Sequence, residues 1–195
     1  FSATDNLNAT LGWRTEHINQ SASQGEYTYY YSPSTYISPA VSGRNQSSQD
    51  AYQLGLNYID GSWSAYGKTG KNFRFPNLDE LFGFTNDTGA ITYSGGFLKP
   101  QTGRNNELGI AFKEPRFDVK LALFRNNLHN EIFYDINSGG GNGTNVNLDP
   151  TQHQGIETYI GYKLTPEIKI SANYSYTEAT FTKGQYKGNY LTSIP

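Results

Sequence analysis

Residues 107–123 read ELGIAFKEPRFDVKLAL, a stretch in which apolar side chains alternate with polar or small ones. This period of two places every second side chain of a β-strand on the same face. The alternation stops at Glu114-Pro115, where proline interrupts strand pairing, and then resumes. The stretch therefore predicts an antiparallel hairpin whose apolar face consists of Leu108, Ile110, Phe112, Phe117, Val119, Leu121 and Leu123.

On both sides of this stretch, the same alternation recurs in residues 7–13, 52–58, 63–67, 156–162 and 168–176. Short turns are predicted at Asp60-Gly61 and at residues 164–167, in addition to the one at Glu114-Pro115. The chain is thus expected to form one strand followed by three tight hairpins. Aromatic residues beside the turns are expected to face each other across them, Tyr58 with Trp63 and Phe112 with Phe117.

The other connections are long, at about residues 18–49, 70–103, 127–152 and 179–192. Long loops in a folded domain usually carry function. Tight turns at one end and long loops at the other are typical of a transmembrane β-barrel wall. A soluble β-sandwich would also alternate. It is disfavoured because the polar face carries charges at mid-strand, namely Arg14, Lys68, Glu107, Lys120 and Glu157.

Composition excludes several classes of function. The formal charge of −2 offers no basic surface for nucleic acid. The absence of cysteine removes disulfides and thiolate chemistry. No run approaches the ~18 apolar residues of a membrane-spanning helix. Neither a Gly-x-Ser-x-Gly elbow nor a Ser/His pair at mid-strand occurs, so no enzyme is predicted. His17, His129 and His153 lack ligand spacing and are interpreted as scattered surface residues, so neither metal nor cofactor is predicted.

Residues 70–81 read GKNFRFPNLDEL, which resembles the GFR-x-P-x-L-x-E-L segment of TonB-dependent outer-membrane receptors. Asn72 stands where that family usually has glycine. Two further segments are similar to family motifs: residues 98–102 leading to Asn106-Glu107-Leu108-Gly109, and Gln154-Gly155-Ile156-Glu157. Residues 187–195 resemble the G-x-x-L-x-x-x-P that begins a later strand. The resemblance covers nearly all of the chain from about residue 52 onward.

This resemblance implies an all-β fold, part of an antiparallel up-and-down transmembrane β-barrel. About seven of the roughly 22 strands of such a barrel would be present. Residues 1–195 are then expected to belong to the barrel domain, with the plug and the C-terminal strands absent. The implied location is the outer membrane of a Gram-negative bacterium, and the partners are outer-membrane lipid and the TonB energy-coupling complex, reached through the plug.

The implied function is energy-coupled uptake of a scarce nutrient, with a ferric siderophore as the small-molecule ligand. A passive porin-type channel, and a receptor for cobalamin or another ligand, remain as alternatives. The long loops offer ligand-binding candidates in Tyr29, Tyr31, Tyr36, Arg44 and Arg74. Tyrosine can both stack and hydrogen-bond, which suits planar ligands, although an aromatic belt at the membrane boundary would use it equally.

A second group of site residues is expected to shape the barrel wall. It consists of Phe73, Arg74, Pro76, Leu78, Glu80, Leu81, Glu107, Gly109, Gly155 and Glu157. Pro76 is expected to end strand pairing, with a turn or one helical turn after it. Glu107 and Glu157 fall on the polar register, where each is expected to remain hydrated or to pair with Arg74 or Arg104.

Overall fold

The computed structural model describes residues 6–31, 34–38, 40–84, 91–93, 98–138 and 143–191. Seven of its strands form one antiparallel sheet, and their order across the sheet is the same as their order along the chain. They are β1 (Leu7–Gln24), β4 (Val41–Asp60), β5 (Trp63–Arg74), β8 (Gln101–Lys113), β9 (Phe117–His129), β12 (Thr151–Lys163) and β13 (Lys169–Phe181). This order without crossovers confirms the predicted up-and-down topology.

Three shorter hairpins interrupt the connections at the end of the sheet opposite the tight turns. They pair β2 (Tyr27–Tyr31) with β3 (Ser34–Ser38), β6 (Phe82–Phe84) with β7 (Ile91–Tyr93), and β10 (Ile132–Asp135) with β11 (Thr144–Asn147). One helical turn, α1 (Leu78–Leu81), follows β5. We call this end of the sheet the loop end and the other the turn end. No helix in the described part of the chain has the length and apolarity to cross a membrane.

The sheet has two unlike faces, and its apolar face is not covered. Leu108, Ile110 and Leu123 remain between 48 and 66% exposed, and Ile170 is 58% exposed. The buried hydrophobic residues of the described chain are Leu81, Leu98 and Ala179, and all three lie near the loop end. A soluble sandwich would bury this face against a second sheet. The exposed apolar band therefore supports a wall that faces lipid.

The apolar band drifts across the sheet. On β1 and β4 it continues to Trp13 and Tyr52, which face each other and stack with ring centroids 6.2 Å apart. On β8 and β9 it ends at Leu108 and Leu123, in register with Leu56, two face positions nearer the turn end than Tyr52. Such a drift is expected when strands are tilted relative to a membrane-parallel band, as barrel closure requires.

The predicted loop boundaries are wrong because the strands are longer than the apolar pattern. β1 and β4 have 18 and 20 residues and pair along residues 18–24 and 41–49, which were expected to be loop. The other long connections are shortened in the same way by residues 70–74, 101–103, 127–129, 151–152 and 179–181. Beyond the apolar band both faces are polar, so alternation disappears although backbone pairing continues.

The tight turns also differ in detail from the prediction. Asp60 pairs with Trp63, so the first loop consists of Gly61 and Ser62, with Gly61 at φ 56° as a type II′ turn requires. The expected aromatic pairs across the turns do not form. Trp63 instead packs against Phe112 at 4.8 Å. Phe117 likewise packs against Tyr162 at 4.8 Å. Both contacts join neighbouring hairpins, because the register places rings side by side between strands rather than around a turn.

Candidate functional site

The motif at residues 70–81 forms a capped helical turn at the loop end. The Asn77 side chain accepts a hydrogen bond from the Glu80 backbone N–H at 2.8 Å, and a Glu80 carboxylate oxygen accepts one from the Asn77 N–H at 2.9 Å. This reciprocal pair is a capping box, which satisfies donors that a helix N-terminus leaves free. It confirms the single helical turn expected after Pro76.

The same carboxylate ties the turn to the end of β5. Arg74 Nη1 lies 2.7 Å from both Glu80 carboxylate oxygens. Pro76 and Leu81 of the same segment are fully buried, whereas Leu78 is 54% exposed. The Phe73 ring packs on Phe75 at 5.2 Å and carries the Arg14 guanidinium at 4.6 Å from its centroid. Arg74 thus shapes the loop, and its use as a ligand contact stays a prediction.

Amide side chains join the other long connections to this turn. From the extended β1 and β4 hairpin, Gln20 donates to the Pro76 carbonyl at 3.0 Å, and Asn45 donates to Gln20 at 3.2 Å. From β11, Asn145 donates to the Glu80 carbonyl at 3.4 Å. The loop end is therefore one connected structure, which we call the rim, defined by Gln20, Pro76, Glu80, Asn145 and Asn147.

Asn147 binds the segment that precedes β8. Its Oδ1 accepts from the Lys99 N–H at 2.7 Å, and its Nδ2 donates to the carbonyls of Lys99 at 3.0 Å and Asn130 at 2.9 Å. A single amide thus replaces three backbone hydrogen bonds that an irregular segment would otherwise leave to water. Asn130 itself has a positive φ of 54°, which asparagine tolerates better than most residues.

A carboxylate at the base of the rim is held by two side chains of β12. Glu131 Oε2 accepts from Thr151 Oγ1 at 2.6 Å and lies 3.2 Å from His153 Nε2. Burial raises the pKa of Glu131, but the hydrogen bonds from His153 and Thr151, together with the charges of His153 and Arg74, outweigh it and lower that pKa. Because its side chain is 18% exposed and paired, His153 is not the scattered surface residue that we predicted.

The polar face of the sheet carries a second constellation at mid-strand. Glu107 accepts from Tyr66 Oη at 2.6 Å and forms an ion pair with Lys68 Nζ at 2.8 Å. Lys68 and Glu107 are direct cross-strand partners, so Glu107 is paired as one of the two alternatives expected, but with Lys68 and not with Arg74 or Arg104. In the described residues no cation lies within ion-pair distance of Glu157, which sits between Ala122 and Ser175.

Two glycines of the motifs make room for aromatic rings on this polar face. A Cβ at Gly109 would clash with the Tyr66 ring. A Cβ at Gly155 would clash with the Tyr176 carbonyl oxygen and would lie 2.7 Å from the Phe124 ring. Cross-strand glycine and aromatic pairs of this kind let a ring lie flat on the sheet. The Glu-Leu-Gly motif therefore specifies both halves of one contact, since Glu107 holds the Tyr66 hydroxyl and Gly109 accepts its ring.

The loop tyrosines are placed by the β2 and β3 hairpin. Tyr29 pairs directly with Tyr36, and Tyr31 lies two residues further along β2. Their side chains lie outside the described part of the structure. Arg44 lies on β4 opposite Ser21, in the extended part of the β1 and β4 hairpin. The ligand-binding role of all four residues stays a prediction.

The sequence did not point to Asn147, Glu131 or Gln20, which hold the rim together. Asparagine and glutamine are common throughout the loops, and each finds its partner from 17 to 56 positions away. Nothing local marks these residues as special. A glutamate and a histidine on either side of a long connection could have suggested the pair of Glu131 and His153, but only the register of β12 brings them together.

The comparisons with known proteins agree with this architecture. The model of the "TonB dependent receptor-like, beta-barrel" family matches residues 1–195. An uncharacterized TonB-dependent receptor of Haemophilus influenzae is 28% identical over 175 residues, which are 90% of this chain and 45% of that protein. This chain thus spans less than half the length of that curated relative.

Two solved structures with the same fold are, by their titles, a transporter and an uptake receptor. The copper transporter OprC superposes with a TM-score of 0.73 at 16% identity, over 92% of this chain and 28% of OprC. The ferric yersiniabactin uptake receptor FyuA from Yersinia pestis gives 0.67 at 17% identity, over 96% of this chain and 27% of FyuA. At these identities the likeness concerns the fold alone. Together with the family match over every residue, the open tilted sheet and its rim show that this chain belongs to the TonB-dependent receptor-like β-barrel family of Gram-negative outer membranes.

Proposed function

We propose that this chain is wall and rim of an outer-membrane receptor that binds a scarce nutrient and imports it with energy from the TonB complex. The observation that carries the proposal is the rim. Hydrogen bonds from three separate connections converge on Pro76, Glu80 and Asn147, so the loops are held in one arrangement. A receptor gains affinity from such preorganisation, because less conformational freedom is lost on binding.

We further propose a ferric siderophore as the ligand. The structures that share this fold include, by their printed titles, a ferric-catecholate import receptor, a ferric yersiniabactin uptake receptor and a ferripyoverdine receptor. The β2 and β3 hairpin carries a directly opposed pair of tyrosines, Tyr29 and Tyr36, a residue type that suits an aromatic chelate. The 195 residues of the chain include neither cysteine nor methionine, so they offer no soft sulfur ligand for a bare copper ion.

The test is growth under iron limitation of a strain that lacks the full-length gene, with purified ferric chelates supplied singly. Loss of growth on one chelate, restored by the native gene, supports the proposal. Unchanged growth on every chelate, with a defect on cobalamin or another nutrient, would refute the siderophore ligand. Growth that still responds to the receptor gene after removal of TonB would instead identify a passive channel.

The loop tyrosines can be tested in the same strain. Tyr29→Ala with Tyr36→Ala removes the directly opposed pair of the hairpin. We expect weaker uptake, since removal of the tyrosine ring and hydroxyl deprives a stacked aromatic chelate of both contact area and a hydrogen bond. Tyr30→Ala is the matched control, because Tyr30 belongs to the same strand but lies on its other face and is 81% exposed. Equal uptake by both variants would remove these tyrosines from the ligand site.

A further inference from the structure

Three cations lie on the apolar face just beyond the end of the apolar band. Lys71 and Arg104 are direct cross-strand partners on β5 and β8. Arg125 on β9 is opposite Asn106, two residues from Arg104. Alternation places all three on the same face as Leu108.

Like charges directly opposite each other destabilise a sheet unless something neutralises them. Within the residues that the structure describes, no carboxylate lies within ion-pair distance of Lys71, Arg104 or Arg125. Two acidic residues on this face lie on other strands, Asp50 on β4 two residues from the Lys71 partner Tyr52, and Glu178 on β13, and neither is within ion-pair distance of the three cations. Asp50 accepts a hydrogen bond from Thr15 at 2.8 Å, and Glu178 stands opposite Gln154 on β13. In the described part of the chain the three cations therefore form no ion pair with a carboxylate.

Neighbouring aromatic residues indicate the level of the cations relative to the membrane. Lys71 stands directly opposite Tyr52, which stacks on Trp13 at the top of the apolar band. Tyrosine and tryptophan collect at the boundary between hydrocarbon and headgroups. Lys71 and Arg104 consequently lie at headgroup level, where lysine and arginine extend their charged ends into the polar layer.

An apolar groove opens on the same face below Arg125. Its volume is about 590 Å³, and its lining includes Leu108, Leu123, Ile156 and Tyr176. Arg125, Gln154 and Glu178 stand at its polar edge, where Arg125 Nη2 donates to Gln154 Oε1 at 3.0 Å and no ion pair joins Arg125 to Glu178. A cation at the edge of an apolar groove, with two more cations on the adjoining strands, matches a molecule with an anionic head and a hydrocarbon tail.

We propose that Lys71, Arg104 and Arg125 bind a phosphate group of an outer-leaflet lipid of the lipid A type, whose acyl chain lies in the groove. This inference goes beyond the proposed uptake function and rests on it only in taking the loop end as the outer end. Guanidinium groups bind phosphate through paired charge-assisted hydrogen bonds, and lysine adds a point charge. The lipid would relieve the repulsion between Lys71 and Arg104.

The test uses the full-length receptor in detergent and measures its thermal unfolding with four additives: diphosphorylated lipid A, dephosphorylated lipid A, phosphatidylglycerol and inorganic phosphate. Diphosphorylated lipid A should raise the midpoint of the native receptor, and the other additives should not. K71Q/R104Q should need at least roughly tenfold more lipid A for the same shift, since charge-assisted hydrogen bonds are lost. K183Q/K187Q removes two exposed cations elsewhere and should behave as native.

Equal shifts in K71Q/R104Q and native receptor would overturn the site. An equal shift from inorganic phosphate would show a free-anion site and refute the lipid, and an equal shift from phosphatidylglycerol would refute selectivity for lipid A. If K71Q/R104Q fails to insert, R125Q is compared with the charge-conserving K71R/R104K, and only R125Q should weaken the shift. Loss of siderophore uptake leaves these outcomes unchanged, so the two proposals fail separately.

Discussion

On the polar face of the wall, the Tyr66 ring leaves room for no side chain larger than that of glycine at position 109. The Tyr66 ring lies flat over it while the Tyr66 hydroxyl donates to Glu107. Tyr66 can leave this position only by giving up the 2.6 Å hydrogen bond. Any side chain at position 109 therefore competes with a satisfied polar contact, which is more costly to break than simple packing.

We expect Gly109→Ala to destabilise the receptor by about 1–3 kcal/mol, the usual cost of overpacking a filled site. Urea unfolding of the full-length receptor in micelles measures it. Gly12→Ala is the control, because nothing lies within 4 Å of a Cβ at Gly12. In a Tyr66→Ala background the same Gly109→Ala change should cost much less. Additive losses in the double variant would contradict the ring contact.

Glu80 combines two roles in one carboxylate, since it caps α1 and holds Arg74. We expect Glu80→Ala to loosen residues 75–81 at a cost of about 1–2 kcal/mol. Faster cleavage there by protease added to intact cells measures the effect. Asp79→Ala is the matched control from the same turn, because Asp79 is exposed and its side chain has no hydrogen bond in the described structure. Similar cleavage of both variants would argue against a stabilising role of the Glu80 carboxylate.

At the scale of elements, the β10 and β11 hairpin is tied to the wall through Glu131. Its carboxyl pKa is lowered in the folded state, so the ionised form contributes stability above the ordinary value of 4.5, and this stability is lost as the pH falls through the lowered value. A spin label at Asn137, on the connection of this hairpin, should therefore become more mobile below pH 4.5. In the Glu131→Gln variant the label at position 137 should already be mobile at neutral pH. A label whose mobility changes with pH equally in both proteins would exclude Glu131 as the cause.

The orientation of the hairpins is a further prediction at this scale. The loop end, including Asn137, is expected outside the cell, and the tight turns, including Arg116, in the periplasm. Asn137→Cys and Arg116→Cys in a cysteine-free receptor can be compared by labelling intact cells with an impermeant thiol reagent. Labelling is expected at position 137 alone. Labelling at position 116 alone would reverse the orientation.

At the scale of the molecule, the open sheet needs partners on both edges. β1 and β13 are its outer strands, and backbone groups left unpaired in hydrocarbon are costly. Together with the exposed apolar band, this predicts that the 195-residue chain alone aggregates without detergent. Sedimentation with and without detergent measures it. A stable monomer in buffer, with Ile170 protected from water, would contradict a lipid-facing wall.

Because alternation and turn chemistry are local properties, the sequence alone predicted the seven strands of the sheet, the three tight turns, the apolar face and the family motifs; it did not predict the three short hairpins at the loop end. It failed wherever two segments far apart meet. Lys68 became the partner of Glu107, and His153 that of Glu131, through strand register, which no neighbouring residue encodes. Strand length was also decided by tertiary structure. Beyond the membrane both faces of β1 and β4 meet water, so pairing continues without any hydrophobic pattern to mark it.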